Sequence, residues 1–420
     1  MRQKHPTGQK RRAGRAGPPC RRRGPRVTRR ALLLGAGAAA LGAAGLWLRR
    51  LGGPGGEAPA APDAGAPPAG EWRAAWISYI ELQGMDYTSA EAFRAGAAAM
   101  MDRCAGLGLN TVIVQVRPFG DALYPSALFP WSHICTGVQG VSPGFDPLDI
   151  LLTEAHSRGL SFEGWINPYR LQASASSPGT LAADNLANTH PDWVAAAGGG
   201  LYLNPAIPEA AAYVVEGVAE LVRTYPVDGV HFDDYFYPSQ SGGLDQEAYT
   251  LYTGNTADPL PLLEWRQANI NTLVAECYQA VKQADAEAVF GISPQGNIAN
   301  DLAMGADVTE WAAVPGYVDY LCPQLYYSFE NEALGYREAL SQWESLPRHQ
   351  GLSLYAGLAL YKAGTDADGG TWLSQDNIIA LQAQAAFAAG WQGVVLYSSD
   401  SLTAPAAQAE VANAAALLGK

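Results

Sequence analysis

The body of this sequence is poor in basic residues. The chain has 420 residues, with 27 Lys and Arg against 40 Asp and Glu. Fourteen of the basic residues lie in the first 50 positions, which contain no acidic residue, so only 13 remain against all 40 acidic residues afterwards. Binding to nucleic acid depends on Lys and Arg that neutralise phosphates. The charge balance therefore argues against a nucleic-acid partner for the folded part of the protein.

Cysteine and histidine are also scarce. The five cysteines are Cys20, Cys104, Cys135, Cys277 and Cys322, and their wide, irregular spacing matches neither a disulfide framework nor a metal motif. We expect them to be mostly buried side chains that behave as small hydrophobic groups. The histidines show no ligand spacing either. The sequence therefore predicts no metal site and no cofactor.

The N-terminus has the pattern of an export signal. Six arginines between positions 21 and 30 precede the uncharged stretch ALLLGAGAAALGAAGLWL at 31–48, which is a basic region followed by an apolar one. Thr28, Arg29 and Arg30 before Ala31 approximate a twin-arginine pattern. The stretch is at the lower limit of what crosses a bilayer. We expect export to the cell envelope or beyond, with residues 31–48 either cleaved off or retained as a membrane anchor.

A Pro-, Gly- and Ala-rich segment, LGGPGGEAPAAPDAGAPPAG, follows at 51–70 and predicts a flexible linker. We therefore divide the chain into a basic and signal region at 1–50, this linker at 51–70, and one folded domain at 71–420.

Strand-like apolar runs alternate with Ala-rich amphipathic segments through the folded domain. Strands are predicted at 73–78, 111–118, 161–169, 229–238, 289–296, 318–327, 352–361 and 393–399, and helices at 90–106, 208–224, 262–284 and 375–389. Eight alternations predict an α/β fold, a (β/α)8 TIM barrel, with an open doubly wound sheet as the alternative. The long segments 119–147 and 172–202 predict functional loops at its C-terminal face.

Alternation along each strand separates side chains that face the helices from those that face the barrel interior. Val230 and Phe232 are the apolar pair of the fourth strand, which puts His231, Asp233 and Tyr235 inside. The same rule puts these residues inside: Trp76, Ser78, Gln115, Arg117, Trp165, Asn167, Tyr169, Ser293, Gln295, Gln324, Tyr326, Tyr355, Tyr361 and Tyr397. A mouth ringed by amides, charges and aromatic rings suits sugars, because sugars offer hydroxyls and C–H faces. The alternative is that these groups bond one another as core filler.

Several motifs together resemble the glycosyl-hydrolase-like family 10 of secreted bacterial proteins, which includes peptidoglycan glycan hydrolases. They are EWRAAWIS, NTVIVQVRPFGDALYPS, EAHSRGLSFEGWINPYRL, LYLNPAIPEA, DGVHFDDYFYP, GISPQGN and YVDYLCPQLYYSFEN, within residues 71–400. The resemblance implies a barrel with a carbohydrate site. It places at family motif positions Arg117, Asp121, Asn167, Tyr169, Arg170, Asn204, Asp233, Asp234, Gln295 and Gln324. Family members tend to have His where this chain has Glu163, which strand alternation puts about 13 Å below Asn167, in the barrel floor.

Glycoside hydrolysis usually needs two carboxyl groups. Asp233, on the inner face at a strand end, is the candidate nucleophile or stabilising carboxylate. The segment also resembles a chitinase-type strand ending in DxDxE, with Tyr235 at the position of the Glu. The acid must then come from Asp234, which can share the site only if the strand ends or bulges there, or from Asp121. A substrate N-acetyl group could instead replace the nucleophile.

The sequence thus predicts an exported glycoside hydrolase acting on a bacterial polysaccharide or oligosaccharide, with peptidoglycan glycan strands as one candidate. Two alternatives stay open: a surface carbohydrate-binding barrel without turnover, and a hydrolase of another extracellular bond. The predicted catalytic residues are Asp233, Asp234 and Asp121. The predicted substrate-binding residues are Trp76, Arg117, Asn167, Tyr169, Arg170, Asn204, His231, Tyr235, Gln295, Asn297, Gln324 and Tyr326.

Overall fold

The computed structural model describes residues 72–234, 236–238 and 243–419. The predicted signal region, the linker and Tyr235 lie outside the described residues. No helix within the described ranges is long and apolar enough to cross a membrane.

Eight parallel strands close into a barrel, which confirms the predicted TIM-barrel fold and excludes the open sheet. Going around the barrel, β1 is followed by β2, β3, β7, β8, β9, β10 and β11, and β11 pairs with β1. The strands in chain order are β1 Trp72–Ile77, β2 Thr111–Arg117, β3 Ser161–Ile166, β4 Arg170–Gln172, β5 Val194–Ala197, β6 Gly200–Leu203, β7 Gly229–Phe232, β8 Val289–Ile292, β9 Tyr320–Leu321, β10 Ser353–Leu358 and β11 Gly393–Tyr397.

Helices lie between the barrel strands. They are α1 Tyr79–Gln83, α2 Ala90–Gly106, α3 His133–Thr136, α4 Pro147–His156, α5 Leu186–Thr189, α6 Pro208–Thr224, α7 Gln246–Asn255, α8 Leu262–Ala284, α9 Ile298–Ala303, α10 Val308–Ala313, α11 Tyr336–Glu344, α12 Ala367–Gly370, α13 Ile378–Ala388 and α14 Gln408–Leu418. Local chemistry sets several starts: Ser89 caps α2, and Asp146 caps α4 with Pro147 in its first turn.

The apolar side chains form two separate clusters, one on each side of the barrel wall. The outer cluster contains Val230 and Phe232, which strand alternation assigned to the helices, together with apolar residues of the other strands, among them Val112, Val114, Ile166, Ile292, Leu321, Leu358, Val394 and Leu396. The inner cluster contains Trp72, Ala74, Trp76, Ile113, Trp165, Tyr320, Cys322, Tyr355 and Val395. Four cysteines, Cys104, Cys135, Cys277 and Cys322, are buried free thiols, as predicted.

The two long segments carry structure of their own. The segment after β2 contains α3, and the segment after β3 contains α5 and a small antiparallel sheet in which β6 lies between β4 and β5. The sequence analysis did not predict this sheet. Both segments follow strand C-terminal ends, so they border the barrel mouth, where the sites of TIM barrels lie.

Glu81 ties the first strand to the last. Its Oε2 accepts a hydrogen bond from the Ser78 backbone N–H, and its Oε1 accepts one from the Ser399 hydroxyl at 2.8 Å and one from the Asp400 backbone N–H at 2.7 Å. These bonds join the residues after β1 to those after β11. They fix the barrel closure beside the mouth.

Candidate active site

The end of strand β7 decides how the two adjacent aspartates lie. The strand stops at Phe232, so Asp233 and Asp234 both come after it and are released from strict alternation. Asp233 bonds to residues of β3 and of the turn that follows it, whereas Asp234 bonds to a residue just beyond β9. The strand end therefore meets the condition under which both carboxyl groups can belong to one site.

Asp233 is held by two N–H donors on a single oxygen. Its Oδ2 accepts hydrogen bonds from the Trp165 indole at 3.2 Å and from the Asn167 side-chain amide. The Asn167 amide is itself fixed, because its Oδ1 accepts from the Gln115 amide and from Arg170 Nη2 at 3.0 Å. Such donors stabilise a carboxylate. Gln115 and Trp165 were predicted to face inward but not to belong to the site.

Asp234 is held by an amide from the segment after β9, two strands from β7 around the barrel. Its Oδ1 accepts from Gln324 Nε2 at 3.1 Å, and the same amide donates to the Ser293 carbonyl at 2.9 Å. Burial raises the pKa of Asp234, while the amides of Gln324 and Gln295 and the positive charge of Arg170 oppose that shift. The two aspartates thus have different surroundings: N–H donors favour the charged form of Asp233, whereas burial favours the protonated form of Asp234. Such a difference suits a pair in which one carboxyl group acts as an acid and the other stays ionised.

Arg170 brings a positive charge to the mouth. Its Nε donates to the Pro118 carbonyl at 2.9 Å, and its guanidinium lies 4.8 Å from the Phe119 ring centroid. Together with its bond to Asn167, these contacts leave the side chain little freedom. It can therefore influence the Asp234 carboxyl from a fixed position.

Asp301 is a third carboxyl group near the site, and the sequence analysis missed it. Its side chain is 1% exposed, and its Oδ1 accepts from the Gln295 backbone N–H at 2.9 Å. Burial raises the pKa of Asp301 well above its usual range, the Gln295 hydrogen bond opposes the shift, and the charge of Asp234 adds to it. Inside a short helix after β8, this aspartate has the sequence signature of an ordinary solvated helix residue, which is why no signal singled it out.

Four aromatic side chains gather at the ends of β1, β9, β10 and β11. We call Trp76, Tyr326, Tyr361 and Tyr397 the aromatic group; the Tyr326, Tyr361 and Tyr397 ring centroids lie 5.8 to 5.9 Å apart, and Trp76 lies 6.0 Å from Tyr397. Tyr361 is 46% exposed, so part of the group reaches solvent. Aromatic faces of this kind can stack against the C–H faces of sugars.

Arg117 does not face the barrel interior, which corrects the prediction. The β2–β3 pairing shifts between Gln115 and Arg117, so a bulge turns the arginine to the outer side. Its guanidinium lies 4.3 Å from the Phe129 ring centroid, and a Cβ added to Gly217 of α6 would meet its Nη1 at 2.2 Å. Burial lowers its pKa, against the effect of Tyr124 beside it. Arg117 supports the loop after β2 from behind the barrel wall and cannot contact a substrate at the mouth.

Alternation also predicted the wrong side of the barrel wall for Tyr169. Strand β3 ends at Ile166, and three residues later the Tyr169 ring is fully buried in the outer cluster. Burial raises its pKa, with contributions from Tyr237 and from Cys277 of α8. It is a packing residue between the barrel and its helices.

His231, Tyr320 and Glu163 belong to a hydrogen-bonded network below the mouth, which we call the floor network, and Trp76 connects it to the aromatic group above. His231 Nε2 lies 3.2 Å from Trp76 Nε1 and 2.9 Å from Ser293 Oγ, and His231 Nδ1 lies 2.7 Å from the Tyr320 hydroxyl. The Tyr320 hydroxyl donates to Glu163, and below it a cavity of about 800 Å³ opens at the strand N-terminal ends. Burial lowers the pKa of His231 to about 3. His231 is fully buried and neutral, so the prediction that it binds substrate does not fit its position.

The remaining predicted residues have local partners. Asp121 is fully buried, and its Oδ2 accepts from Gln139 at 2.9 Å and lies 3.1 Å from His133 Nδ1, so it orders the loop after β2. Asn204 bonds to its own turn and to the Leu244 carbonyl, and Asn297 caps α9. In the described part of the chain, no group of three or more His, Cys, Asp or Glu is arranged to hold a metal ion.

Comparison with known proteins places these motifs in a family. Residues 71–372 match the family described as Glycosyl hydrolase-like 10. The chain is 38% identical over 288 residues to the glycosyl hydrolase YngK of Bacillus subtilis, a match covering 63% of this chain and 56% of YngK. It is 37% identical over 262 residues to the glycosyl hydrolase DigH of Escherichia coli K12, covering 56% of this chain and 58% of DigH. The matches span little more than half of each relative.

Solved structures with the same fold are more distant in sequence. The glycoside hydrolase domain of PgaB (BpsB) from Bordetella bronchiseptica superposes with a TM-score of 0.53 at 14% identity, covering 82% of this chain and 98% of that domain. A β-galactosidase from Rahnella sp. R3 gives 0.58 at 15% identity, covering 85% and 57%. Identities this low establish the barrel fold alone. The family match, in contrast, covers more than half of the chain and includes the motifs that build the mouth, and on that ground this chain belongs to the glycosyl hydrolase-like family 10.

Proposed function

We propose that this chain is an exported glycoside hydrolase that cleaves O-glycosidic bonds of an N-acetylated bacterial polysaccharide, with peptidoglycan glycan strands as the first candidate. The observation that carries the proposal is the pair of aspartates beyond β7. Asp233 accepts two N–H donors on one oxygen, whereas burial raises the pKa of Asp234. Two neighbouring carboxyl groups in different environments are what glycoside hydrolysis requires.

The environments assign the roles. Asp234 is the proton donor: its proton passes to the glycosidic oxygen as the bond from C1 to that oxygen breaks and the leaving sugar departs as an alcohol. Asp233 stays ionised and supports the positive charge that develops at C1. It does so either by bonding to C1 directly or by orienting a substrate N-acetyl oxygen that bonds there, and water then releases the product with Asp234 as base.

The surroundings of the pair support a sugar polymer as the substrate. The aromatic group offers a stacking surface with Tyr361 partly in solvent, and Arg170 adds a fixed cation. An arginine of this kind could hold an anionic sugar substituent by paired hydrogen bonds. The basic and apolar N-terminal pattern supports export, with residues 31–48 as a membrane attachment if they are retained.

The decisive experiment follows product release from peptide-free glycan strands incubated with the purified full chain. We expect soluble fragments from the wild type and none from Asp233→Asn. Asp228→Asn is the matched control, because Asp228 lies just before the opposite end of the same strand, β7, with 45% of its side chain exposed. The control should cleave like the wild type. Calorimetric binding of the strands without cleavage by any form would instead support the non-catalytic carbohydrate-binding alternative.

A further inference from the structure

Among the described residues, the Asp301 side chain has one hydrogen-bond partner, and that partner is a backbone group of the site. Its Oδ1 accepts from the Gln295 N–H at 2.9 Å, whereas its Oδ2 is buried and has no hydrogen-bond partner among the described residues. The side chain is 1% exposed, so water does not replace the missing partner from the surface. An ionised carboxylate in such a place would leave most of its charge uncompensated, which is costly. A neutral carboxylic acid fits the position.

The residue that Asp301 holds leads to Asp234. The Gln295 backbone pairs with that of Gln324, extending the barrel beyond β8 and β9. Gln324 donates its side-chain amide to Asp234 at 3.1 Å, and the Gln295 amide stabilises the same carboxylate. The two amides therefore lie on two backbone segments that pair with each other, and Asp301 fixes the Gln295 N–H of one of them.

We propose that Asp301 is a positioning residue of the active site: as a neutral carboxylic acid it fixes Gln295 and so keeps the amides of Gln295 and Gln324 aligned on Asp234. The proposal rests on the proposed role of Asp234 as proton donor. It makes Asp301 a contributor to the rate of turnover although it need not touch a substrate.

The charged and titratable groups around Asp234 and Asp301 are few. Asp233 directly precedes Asp234 in the chain and belongs to the same site. Arg170 faces Asp234 and favours its ionised form. Tyr326 lies near Asp234, and Tyr327 lies near Asp301; burial, the main effect, raises the pKa of both tyrosines, and the neighbouring aspartate adds to each shift. Among the described residues, no positive group shifts the pKa of Asp301. The pKa of Asp234 will therefore rise or fall on removal of Asp301 according to whether Asp301 is protonated or ionised.

That sign can be measured. If Asp301 is a neutral anchor, Asp301→Ala loosens the amides that stabilise ionised Asp234, so the pKa of Asp234 rises. If Asp301 is instead ionised, its removal takes a like charge away and the pKa of Asp234 falls. Asp301→Asn separates the same two cases, because Asn is neutral and keeps an oxygen that accepts from Gln295.

The experiment compares the wild-type full chain with Asp301→Asn and Asp301→Ala. Glu410→Ala is the matched control. Glu410 lies on the last helix, α14, is also buried, and also accepts hydrogen bonds from backbone N–H groups, those of Ile378 and Ile379. The aspartate side-chain carboxyls, labelled with ¹³C, are titrated by NMR without any substrate. The pH dependence of kcat and KM is then measured on glycan fragments, and thermal unfolding checks that each variant is folded.

We expect Asp301→Ala to lower kcat by about 10- to 100-fold with little change in KM, since small displacements of catalytic groups cost rates of this order. The Asp234 titration and the alkaline limb of kcat should move to higher pH, Asp301→Asn should recover most of the lost activity, and Glu410→Ala should change unfolding alone. A fall in the Asp234 pKa in both Asp301 variants, or unchanged kcat and titration in Asp301→Ala, overturns the proposal. If the wild type cleaves no glycan, the proposed function fails, yet the NMR titration still decides the state of Asp301.

Discussion

The mouth of the barrel and the floor network contain the same kinds of side chain, yet they satisfy them differently. In the floor, Glu163, Tyr320 and His231 bond to one another, and His231 is fully buried. At the mouth, Asp233 and Asp234 receive hydrogen bonds from amides and an indole that approach from neighbouring strands. The floor groups satisfy one another's hydrogen bonds. The mouth aspartates accept from Asn167 and Gln324, whose amides are themselves fixed by further hydrogen bonds.

This difference shows why polarity alone does not mark a functional residue. A buried polar group is tolerated when its partners are internal, and the result is a rigid core layer. A carboxyl group fixed at a strand end, with its partners on one side, can still meet a ligand from the other side. The contrast makes three predictions, given in order of expected size.

The first prediction separates the two mouth carboxylates. Asp234→Asn should lower kcat on a natural glycan by about 10²- to 10⁴-fold, because general acid catalysis contributes about that factor. On an aryl glycoside whose leaving group needs no proton, Asp234→Asn should recover most of the rate, while Asp233→Asn should stay inactive on both substrates. Steady-state rates on the two substrates check this. Recovery in the Asp233 variant rather than the Asp234 variant would reverse the assigned roles.

The second prediction concerns the floor carboxyl. Burial raises the pKa of Glu163 from 4.5 to about 8, and the Tyr320 hydrogen bond opposes the shift. Between these two values the folded protein keeps a proton that the unfolded chain has lost, so stability falls as pH rises, by up to about 1.4 kcal/mol per pH unit. The loss is complete above the folded pKa and absent below pH 4.5.

Glu163→Gln is neutral at every pH, so the free energy of unfolding of this variant should increase relative to the wild type from pH 4.5 to 8. Urea unfolding at several pH values measures the difference. The surface variant Glu154→Gln is the control and should not reproduce the trend. Parallel stability curves for wild type and Glu163→Gln would show that Glu163 is ionised in the folded protein. Glycan cleavage at neutral pH should be unaffected, since Glu163 lies below the site.

The third prediction compares two arginines. Arg170→Met should lower kcat/KM by about 10- to 100-fold, because losing one or two hydrogen bonds made by a charged group costs about that much. Its alkaline limb should move to higher pH, because the positive charge of Arg170 lowers the pKa of Asp234. Arg117→Met should leave both unchanged, since Arg117 packs on Phe129 behind the barrel wall. Equal losses in the two variants would contradict the outward placement of Arg117.

The sequence predicted the fold well because the fold depends on patterns that repeat. Each of the eight predicted runs overlaps a barrel strand, although several extend past its C-terminal end, and three predicted helices, at 90–106, 208–224 and 262–284, have the observed bounds. Two-residue alternation separated the inner cluster from the outer one. The prediction failed where the chain leaves regular geometry: the bulge after Gln115 turned Arg117 outward, and the end of β3 released Tyr169.

The candidate site was predictable in part for the same reason. Asn167 and Asp233 are each the first residue after a strand end, and the structure brings them together. Asp301 could not have been found, because its importance comes from a contact with Gln295 and from burial, neither of which leaves a mark on the sequence.

By itself, the sequence determined the eightfold strand and helix order, the inner and outer faces of the strands, and the family motifs, because periodicity and motif order are properties of the chain alone. Only the tertiary structure decided that β7 ends before Asp233, that Asp234 is paired with Gln324 while Asp121 is paired with His133, and that Asp301 lies buried beside the site. The physical reason is that hydrogen-bond partners and burial come from residues far apart in sequence, which the barrel brings together only when it closes.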